Sequence, residues 1–175
     1  MRQKLFLFAI VLLVVWAMKR YYADASADDL RWILSPAVRL AGGASGTSFL
    51  MEPGAGYLSR ERLFLVEKSC AGINFMIAAF AMLAFVFKRR VTSWHSGAMV
   101  LAASLVAAYA AAVLVNAARI AIAMWLAGQP PLWSHVSPTQ IHRIEGIVVY
   151  FAGLALLHEV ALRVQRGDSS LQSRA

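Results

Sequence analysis

Four long apolar runs restrict what this chain can fold into more than any other feature of its sequence. They lie at residues 5–22, 71–87, 97–115 with a continuation to 127, and 144–162. Each is close to the roughly 20 residues that a helix needs to cross a bilayer. We therefore predict an all-α fold, a polytopic membrane helical bundle of four to five spanning or interfacial helices that forms a single integral membrane domain over residues 1–175.

The composition excludes an ordinary soluble domain. Hydrophobic residues make up 60% of the 175 residues and charged residues only 15%, which is far more apolar than a soluble protein of this length. The formal net charge of +8 would suggest a nucleic-acid partner in a soluble protein, but here the cations cluster beside the apolar runs. We therefore expect membrane lipids, and not nucleic acid, as partners.

Three basic clusters set the predicted orientation: Arg2 with Lys4, residues 88–90, and residues 163–166. Segments rich in Lys and Arg remain on the cytoplasmic side of a membrane. The segments 23–69 and 128–141 then form external, periplasmic loops. The sequence predicts a multi-pass protein of the cell inner (plasma) membrane.

The first apolar run also has features of a signal peptide, because a short basic segment precedes residues 5–18. A clear cleavage site does not follow at once, and Ala23-Asp24-Ala25 is only a faint candidate. We interpret the run as a first spanning helix that Tyr21 and Tyr22 extend into the membrane interface.

The external loop 23–69 is too polar to span a membrane. We predict a short amphipathic helix at residues 28–40, with Asp28 capping its start. The glycines that follow mark loops, and residues 52–57 have the composition of a turn. Contact of that turn with a substrate is the alternative interpretation.

The only cysteine, Cys70, begins the second apolar run. A lone cysteine cannot form an intrachain disulfide or a cysteine-only zinc site, and we expect no metal and no cofactor. In the predicted topology Cys70 lies at the outer membrane face, with Arg119 just past the outer end of the third span and His142 at the start of the fourth. Three residues far apart in sequence therefore meet at one face.

These three residue types can support nucleophilic chemistry. A free thiol with a pKa of about 8.5 is mostly protonated at neutral pH and attacks only as the thiolate. The dipole of a helix that starts near Cys70 would favour the thiolate, His142 can accept its proton, and Arg119 can stabilise a thiolate or an oxyanion. The alternatives are an inert cysteine, an arginine that extends to the membrane surface, and an ordinary interfacial histidine.

Helical spacing adds supporting or substrate-binding candidates. Asn74 lies four residues after Cys70, Asn116 three before Arg119 and Glu145 three after His142, so each can share a face with its neighbour. Ordinary hydrogen bonds between spans are the alternative role for the two amides. His135 in the outer loop remains a rival for the base. His158 lies roughly 24 Å from His142 along a helix, so we do not expect it to share the Cys70 site.

Three motifs resemble one family of membrane enzymes. Ser69-Cys70-Ala71-Gly72, Asn116-Ala117-Ala118-Arg119-Ile120 and His142-Arg143-Ile144-Glu145-Gly146 occur in this order and resemble the Cys, Arg and His motifs of the exosortase/archaeosortase transpeptidases. The short chain and the run Cys-Ala-Gly-Ile-Asn-Phe resemble the exosortase K branch, although the family's common form is much longer.

The resemblance implies a membrane-embedded cysteine protease or transpeptidase. Cys70 would be its nucleophile, Arg119 the stabiliser of an oxyanion or thiolate, and His142 its acid and base. Such an enzyme cleaves C-terminal sorting signals of exported proteins and transfers the proteins to a cell-surface acceptor. The main rival function is a non-catalytic membrane scaffold or accessory protein of polysaccharide or protein export. A thiol redox protein is a third, with its second cysteine on an external partner.

The basic clusters generate a prediction about topology. A reporter fused after Arg90 should behave as cytoplasmic, whereas reporters inserted near Gly54 or Gln129 should behave as external. Alkaline phosphatase and a cytoplasmic fluorescent protein, fused in parallel at each position, measure this. An external signal at Arg90 would invert the topology.

Overall fold

The computed structural model describes residues 2–129 and 137–172, and the side chains of 5–129, 137 and 140–167. This part of the chain is mostly helical. Its α-helices are α1 Arg2–Asp24, α2 Arg31–Ser45, α3 Ile73–Val86, α4 Trp94–Ala127 and α5 Pro138–Gln172. Two 3₁₀ turns, Lys68–Cys70 and Phe87–Arg90, flank α3, and three short strands are β1 Leu50–Glu52, β2 Gly56–Ser59 and β3 Phe64–Val66.

Four helical segments are long and apolar enough to cross a membrane: Leu5–Asp24, Lys68–Arg90, Trp94–Ala127 and Gln140–Gly167. They coincide with the four predicted runs, so the predicted helical character and the four long apolar helices are confirmed. Membrane insertion and orientation stay predictions.

Helix α4 is one helix of 34 residues, which includes the predicted continuation to residue 127. Two serines cap its start: the Ser93 hydroxyl accepts the Ser96 N–H at 3.2 Å, and the Ser96 hydroxyl accepts the Ser93 N–H at 2.9 Å. This reciprocal pair satisfies donors that the first helical turn leaves free. Gly128 follows the last residue of the helix, and Pro130 and Pro131 lie outside the described residues.

The chain forms two compact units. The first unit comprises Met1–Asp24, Ile73–Ala111 and Leu154–Ala175, and the second comprises Ala25–Gly72 and Ala112–Gly153. Helices α4 and α5 each contribute one part to each unit.

In the first unit, α1 packs against α3. The Lys19 ammonium donates a 2.7 Å hydrogen bond to the side-chain amide oxygen of Asn74, and the rings of Phe6 and Trp94 meet edge to face at 4.3 Å between centroids. Gln165 on α5 donates to the Val86 carbonyl oxygen at the end of α3. One polar side chain thus connects α1 with α3, and another connects α5 with α3.

In the second unit, α2 is amphipathic. Its buried residues recur at the spacing of one helical face and include Ile33, Leu34, Ala37, Val38 and Ala41. The helix ends at Gly46, whose left-handed φ of 64° lets its N–H bond the Gly42 carbonyl. An amphipathic helix was predicted here, and it begins and ends later than predicted.

The prediction that Asp28 caps this helix was wrong. Leu30 is the N-cap and no side chain caps the helix. The Asp28 carboxylate instead accepts from the Arg31 guanidinium at 2.9 Å and from the Gly54 N–H at 3.0 Å, so it joins the helix start to the turn after β1. The Asp28 side chain therefore makes a tertiary contact, which residue preferences at helix ends do not reveal.

These two donors act on the ionisation of Asp28. The Arg31 guanidinium first, and then the Gly54 N–H, hold the pKa of the carboxyl below its ordinary value. Because the pKa is lowered in the folded protein, the resulting stabilisation is present above the ordinary pKa of an aspartate. It is lost as the pH falls through the lowered value.

A three-stranded antiparallel sheet in the order β1-β2-β3 was not predicted. Glu52 pairs with Gly56 across the first turn, and Tyr57 pairs with Val66 across the second. Strands of three or four residues are too short to show a clear alternation of apolar and polar residues. The predicted turn at 52–57 therefore includes the hairpin turn between β1 and β2.

Gly56 generates a prediction about stability. Its φ of 125° disfavours any side chain, and a Cβ there would collide with the carbonyl oxygen of Val66. Gly56→Ala should destabilise the protein by about 1–3 kcal/mol, measured as a lower thermal unfolding midpoint in detergent. Gly43→Ala is the control, because Gly43 lies in α2 with open space around it, and alanine there should be neutral or stabilise by up to about 1 kcal/mol. Equal effects of the two changes would contradict the role of Gly56.

Candidate active site

The second unit contains five of the six predicted site residues: Cys70, Asn116, Arg119, His142 and Glu145. They come from the turn before α3, from the second half of α4 and from the first half of α5. The sixth, Asn74, belongs to the first unit, where it bonds Lys19. Asn74 is therefore not grouped with the other five.

Cys70 ends a 3₁₀ turn, and α3 begins three residues later at Ile73. The Cys70 N–H bonds the Glu67 carbonyl at 2.9 Å, and Gly72 then takes a left-handed φ of 71°. Cys70 thus lies just before the helix and not in its first turn, and the effect of the helix dipole on the thiol stays a prediction.

Gly72 also permits a close approach of helix α4. A Cβ at Gly72 would lie 3.3 Å from Cγ of Asn116 and 3.5 Å from the Tyr150 hydroxyl. Both the backbone conformation and the available space therefore favour glycine after the Cys70 turn.

Asn116 fixes the Cys70 backbone to α4. It is completely buried, and its amide nitrogen donates a 2.6 Å hydrogen bond to the Cys70 carbonyl. Its amide oxygen accepts from the Tyr150 hydroxyl at 2.9 Å. Because both ends of the amide are paired, its burial carries no unsatisfied polar group.

The thiol of Cys70 faces an imidazole. Its sulfur lies 3.9 Å from Nε2 of His142 and 3.8 Å from the Ser69 hydroxyl. Cys70 is 6% exposed, whereas the His142 side chain is 41% exposed. The thiol therefore has an imidazole within the distance of a sulfur hydrogen bond, and a thiol in that position can pass its proton to the ring.

Arg119 determines which nitrogen of His142 carries the hydrogen. Its Nη2 lies 3.1 Å from His142 Nε2, and a guanidinium can only donate. The hydrogen of the neutral ring is therefore on Nδ1, and Nε2 presents a lone pair. That lone pair faces both the Arg119 N–H and the Cys70 thiol.

Glu145 supplies the negative charge beside Arg119. Its side chain is 5% exposed, and its Oε2 lies 3.6 Å from Arg119 Nε and 3.9 Å from His142 Nδ1. Among the described residues, neither carboxylate oxygen nor Arg119 Nε has a hydrogen-bond partner. A buried charge without such bonds is unfavourable, so a small movement that brings these groups together would be stabilising.

Gly146 makes space for the guanidinium. A Cβ at this position would lie 2.7 Å from Nε and 2.9 Å from Nη2 of Arg119. The absence of a side chain at Gly146 therefore accommodates the Arg119 head group.

Sequence reasoning missed Tyr150. Its hydroxyl accepts from Arg119 Nη1 at 3.2 Å, and Cζ of Arg119 lies 5.1 Å from the ring centroid. Tyr150 follows Gly146 by four residues on α5, so helical spacing from the His142 motif was the signal that could have found it.

Three other predictions concern the histidines His135 and His158 and the absence of a metal site. His135, the rival base, lies outside the described residues. His158 belongs to the first unit. Within the described ranges, no group of three His, Cys, Asp or Glu residues could hold a metal ion.

Comparisons with protein-family models, with curated protein sequences and with solved structures return no match.

Gly146 generates a prediction about the thiol. Gly146→Ala should displace the Arg119 guanidinium, and the anionic transition state of thiol alkylation then loses a nearby cation, which costs about tenfold in rate for each 1.4 kcal/mol of lost interaction. Alkylation of Cys70 by iodoacetamide should slow about tenfold, and the rate reports this site alone because the chain has one cysteine.

Gly97→Ala is the matched control. It also lies in a helix, and its nearest neighbour would be a Val91 methyl group at the ordinary distance of 3.5 Å. A wild-type alkylation rate in Gly146→Ala, at wild-type abundance, would show that the thiol does not depend on the position of Arg119.

Proposed function

We propose that this protein is a membrane-embedded cysteine peptidase or transpeptidase. The observation that carries the proposal is the contact of the Cys70 thiol with His142 Nε2 at 3.9 Å, with Arg119 bonded to the same nitrogen at 3.1 Å. A nucleophile, a base in the accepting tautomer and a fixed cation are the parts that acyl transfer needs.

In the first half of the reaction, the Cys70 thiol transfers its proton to His142 Nε2 as the sulfur attacks a substrate carbonyl. The carbonyl oxygen becomes an oxyanion, which the Arg119 guanidinium stabilises by donating N–H bonds. His142 then gives the proton to the leaving amine, the C–N bond breaks, and a thioester to Cys70 remains.

In the second half, an acceptor nucleophile gives a proton to His142 and attacks the thioester. The carbon–sulfur bond breaks, and the proton returns to the sulfur. An amine or other acceptor gives transfer, and water gives hydrolysis. The chemistry at Cys70 is the same in both cases.

Arg119 has to change partner during this cycle. The lone pair of His142 Nε2 can accept either the Arg119 N–H or the thiol proton, and it cannot accept both. We propose that the incoming carbonyl oxygen takes the Arg119 N–H and frees Nε2 for the thiol. Glu145, 3.9 Å from Nδ1, then offsets the positive charge that the imidazole gains.

The proposed substrates are exported proteins with a C-terminal sorting signal, because the Cys, Arg and His motifs resemble those of exosortases. We propose that the protein resides in the inner (plasma) membrane with the site facing the exterior. Cys70 and the basic residues 88–90 are near opposite ends of the apolar segment Lys68–Arg90. A cytoplasmic position for the basic end therefore gives Cys70 an external one.

The proposal is tested by coexpression with an exported protein that carries a candidate C-terminal sorting signal. Its size is followed by immunoblot, and a thioester to Cys70 is trapped in the wild type. Cys70→Ser should stop processing at unchanged abundance, because serine's far higher pKa makes it a poor nucleophile. His142→Gln should reduce processing by about 10²–10⁴-fold, whereas the control His158→Gln, in the first unit, should not.

Two outcomes would contradict the proposal. Full processing by Cys70→Ser at wild-type protein levels would remove the thiol from the mechanism and favour the scaffold. Full processing by His142→Gln, with loss in His135→Gln, would move the base to His135.

A further inference from the structure

We infer that Tyr150 is a positioning residue that fixes the Arg119 guanidinium for the chemistry at Cys70. The inference rests on the proposed function and deepens it, because it names a residue on which the orientation of Arg119 depends. It stands on hydrogen bonds that have only one consistent assignment of donors and acceptors.

The assignment begins at the backbone of Cys70. A carbonyl oxygen can only accept, so the Asn116 amide nitrogen must face it, at 2.6 Å. The amide oxygen of Asn116 therefore faces the Tyr150 hydroxyl at 2.9 Å, and the hydroxyl must donate to it. The single hydrogen of the Tyr150 hydroxyl is thereby committed to Asn116.

The remaining lone pairs of the hydroxyl can then accept from Arg119. Nη1 of Arg119 lies 3.2 Å away. Nη1 is held at Tyr150, while Nε and Nη2 occupy the space that a Cβ at Gly146 would fill. The planar guanidinium therefore keeps Nη2 toward His142 Nε2, at 3.1 Å. The fork geometry of arginine transmits a fixed position at one nitrogen to the other.

The same chain of bonds connects the nucleophile with its electrostatic partner. It runs from the Cys70 carbonyl through Asn116 and Tyr150 to Arg119, and all four residues belong to the second unit. In this chain of bonds the partners of Tyr150 are Asn116 and Arg119. We assign its effect on the chemistry to Arg119, the member of the chain that bonds His142.

One substitution isolates the hydroxyl. Tyr150→Phe removes a single oxygen and retains the ring, over which Cζ of Arg119 lies at 5.1 Å. Tyr109→Phe is the matched control, since Tyr109 is a half-buried tyrosine of α4 in the first unit. It makes the same chemical change in the unit that does not contain Cys70.

The first readout is alkylation of the full-length protein in membranes by iodoacetamide, which reports only Cys70 because the chain has one cysteine. Tyr150→Phe should slow the reaction about tenfold at neutral pH, as expected when the anionic transition state of alkylation loses about 1.4 kcal/mol of stabilisation by Arg119. It should also displace the profile of rate against pH in the same direction as Arg119→Gln does. Tyr109→Phe should match the wild type in both.

A double-mutant cycle tests whether Tyr150 acts through Arg119. In the Arg119→Gln background, Tyr150→Phe should have no further effect, because the group that it positions is gone. If Arg119→Gln is not expressed, Arg119→Lys takes its place in the cycle. Lysine keeps the charge, but its single nitrogen cannot bond two partners with the fixed geometry of a guanidinium. Independent, multiplying effects of the two changes would overturn the inference, as would a wild-type rate and profile in Tyr150→Phe.

The second readout is processing of the coexpressed substrate, which should fall about 10- to 100-fold in Tyr150→Phe, as expected for loss of a hydrogen bond to a charged group. If the wild type processes no substrate but the alkylation cycle behaves as described, the proposed function fails and the positioning role of Tyr150 stands. If the wild type processes substrate and Tyr150→Phe equals it in both readouts, the positioning role fails alone.

Discussion

The buried charge of Arg119 is the constraint on which the second unit depends. A guanidinium in an apolar helix is unfavourable unless other groups compensate for lost water. Here Tyr150 accepts from it, His142 accepts from it, and Glu145 places a carboxylate beside it. Three residues of α5 thus face one residue of α4. The same contacts that make the charge tolerable also place a base against the only thiol.

Much of this arrangement was readable from spacing. Asn116 and Arg119 are three residues apart, as are His142 and Glu145, and the structure shows each pair sharing contacts across the two helices. Four long apolar runs predicted the helices because length and hydropathy are local properties. Cys70, Arg119 and His142 lie together because the turn before α3, the second half of α4 and the first half of α5 all belong to the second unit.

Other features depend on tertiary contacts that no local pattern contains. Asn74 has the correct spacing from Cys70, but Gly72 interrupts the helix between them, so the two do not share a helical face. The three-stranded sheet was missed because its strands are shorter than one reliable period of alternation. Tyr150 was missed because a tyrosine in an apolar helix is ordinarily an apolar or interfacial residue, and its role depends on Asn116 and Arg119.

The length of α4 has a consequence for water. At 1.5 Å per residue, its 34 residues extend roughly 50 Å, whereas the hydrocarbon layer is only about 30 Å thick. Arg119 lies 25 residues after Trp94, or roughly 37 Å along the axis. In a helix that enters the hydrocarbon near Trp94 with little tilt, Arg119 lies at the depth of the lipid head groups. At that depth the thioester of the proposed mechanism would be open to bulk water as well as to an acceptor, so efficient transfer would require the acceptor to be bound before the leaving group departs.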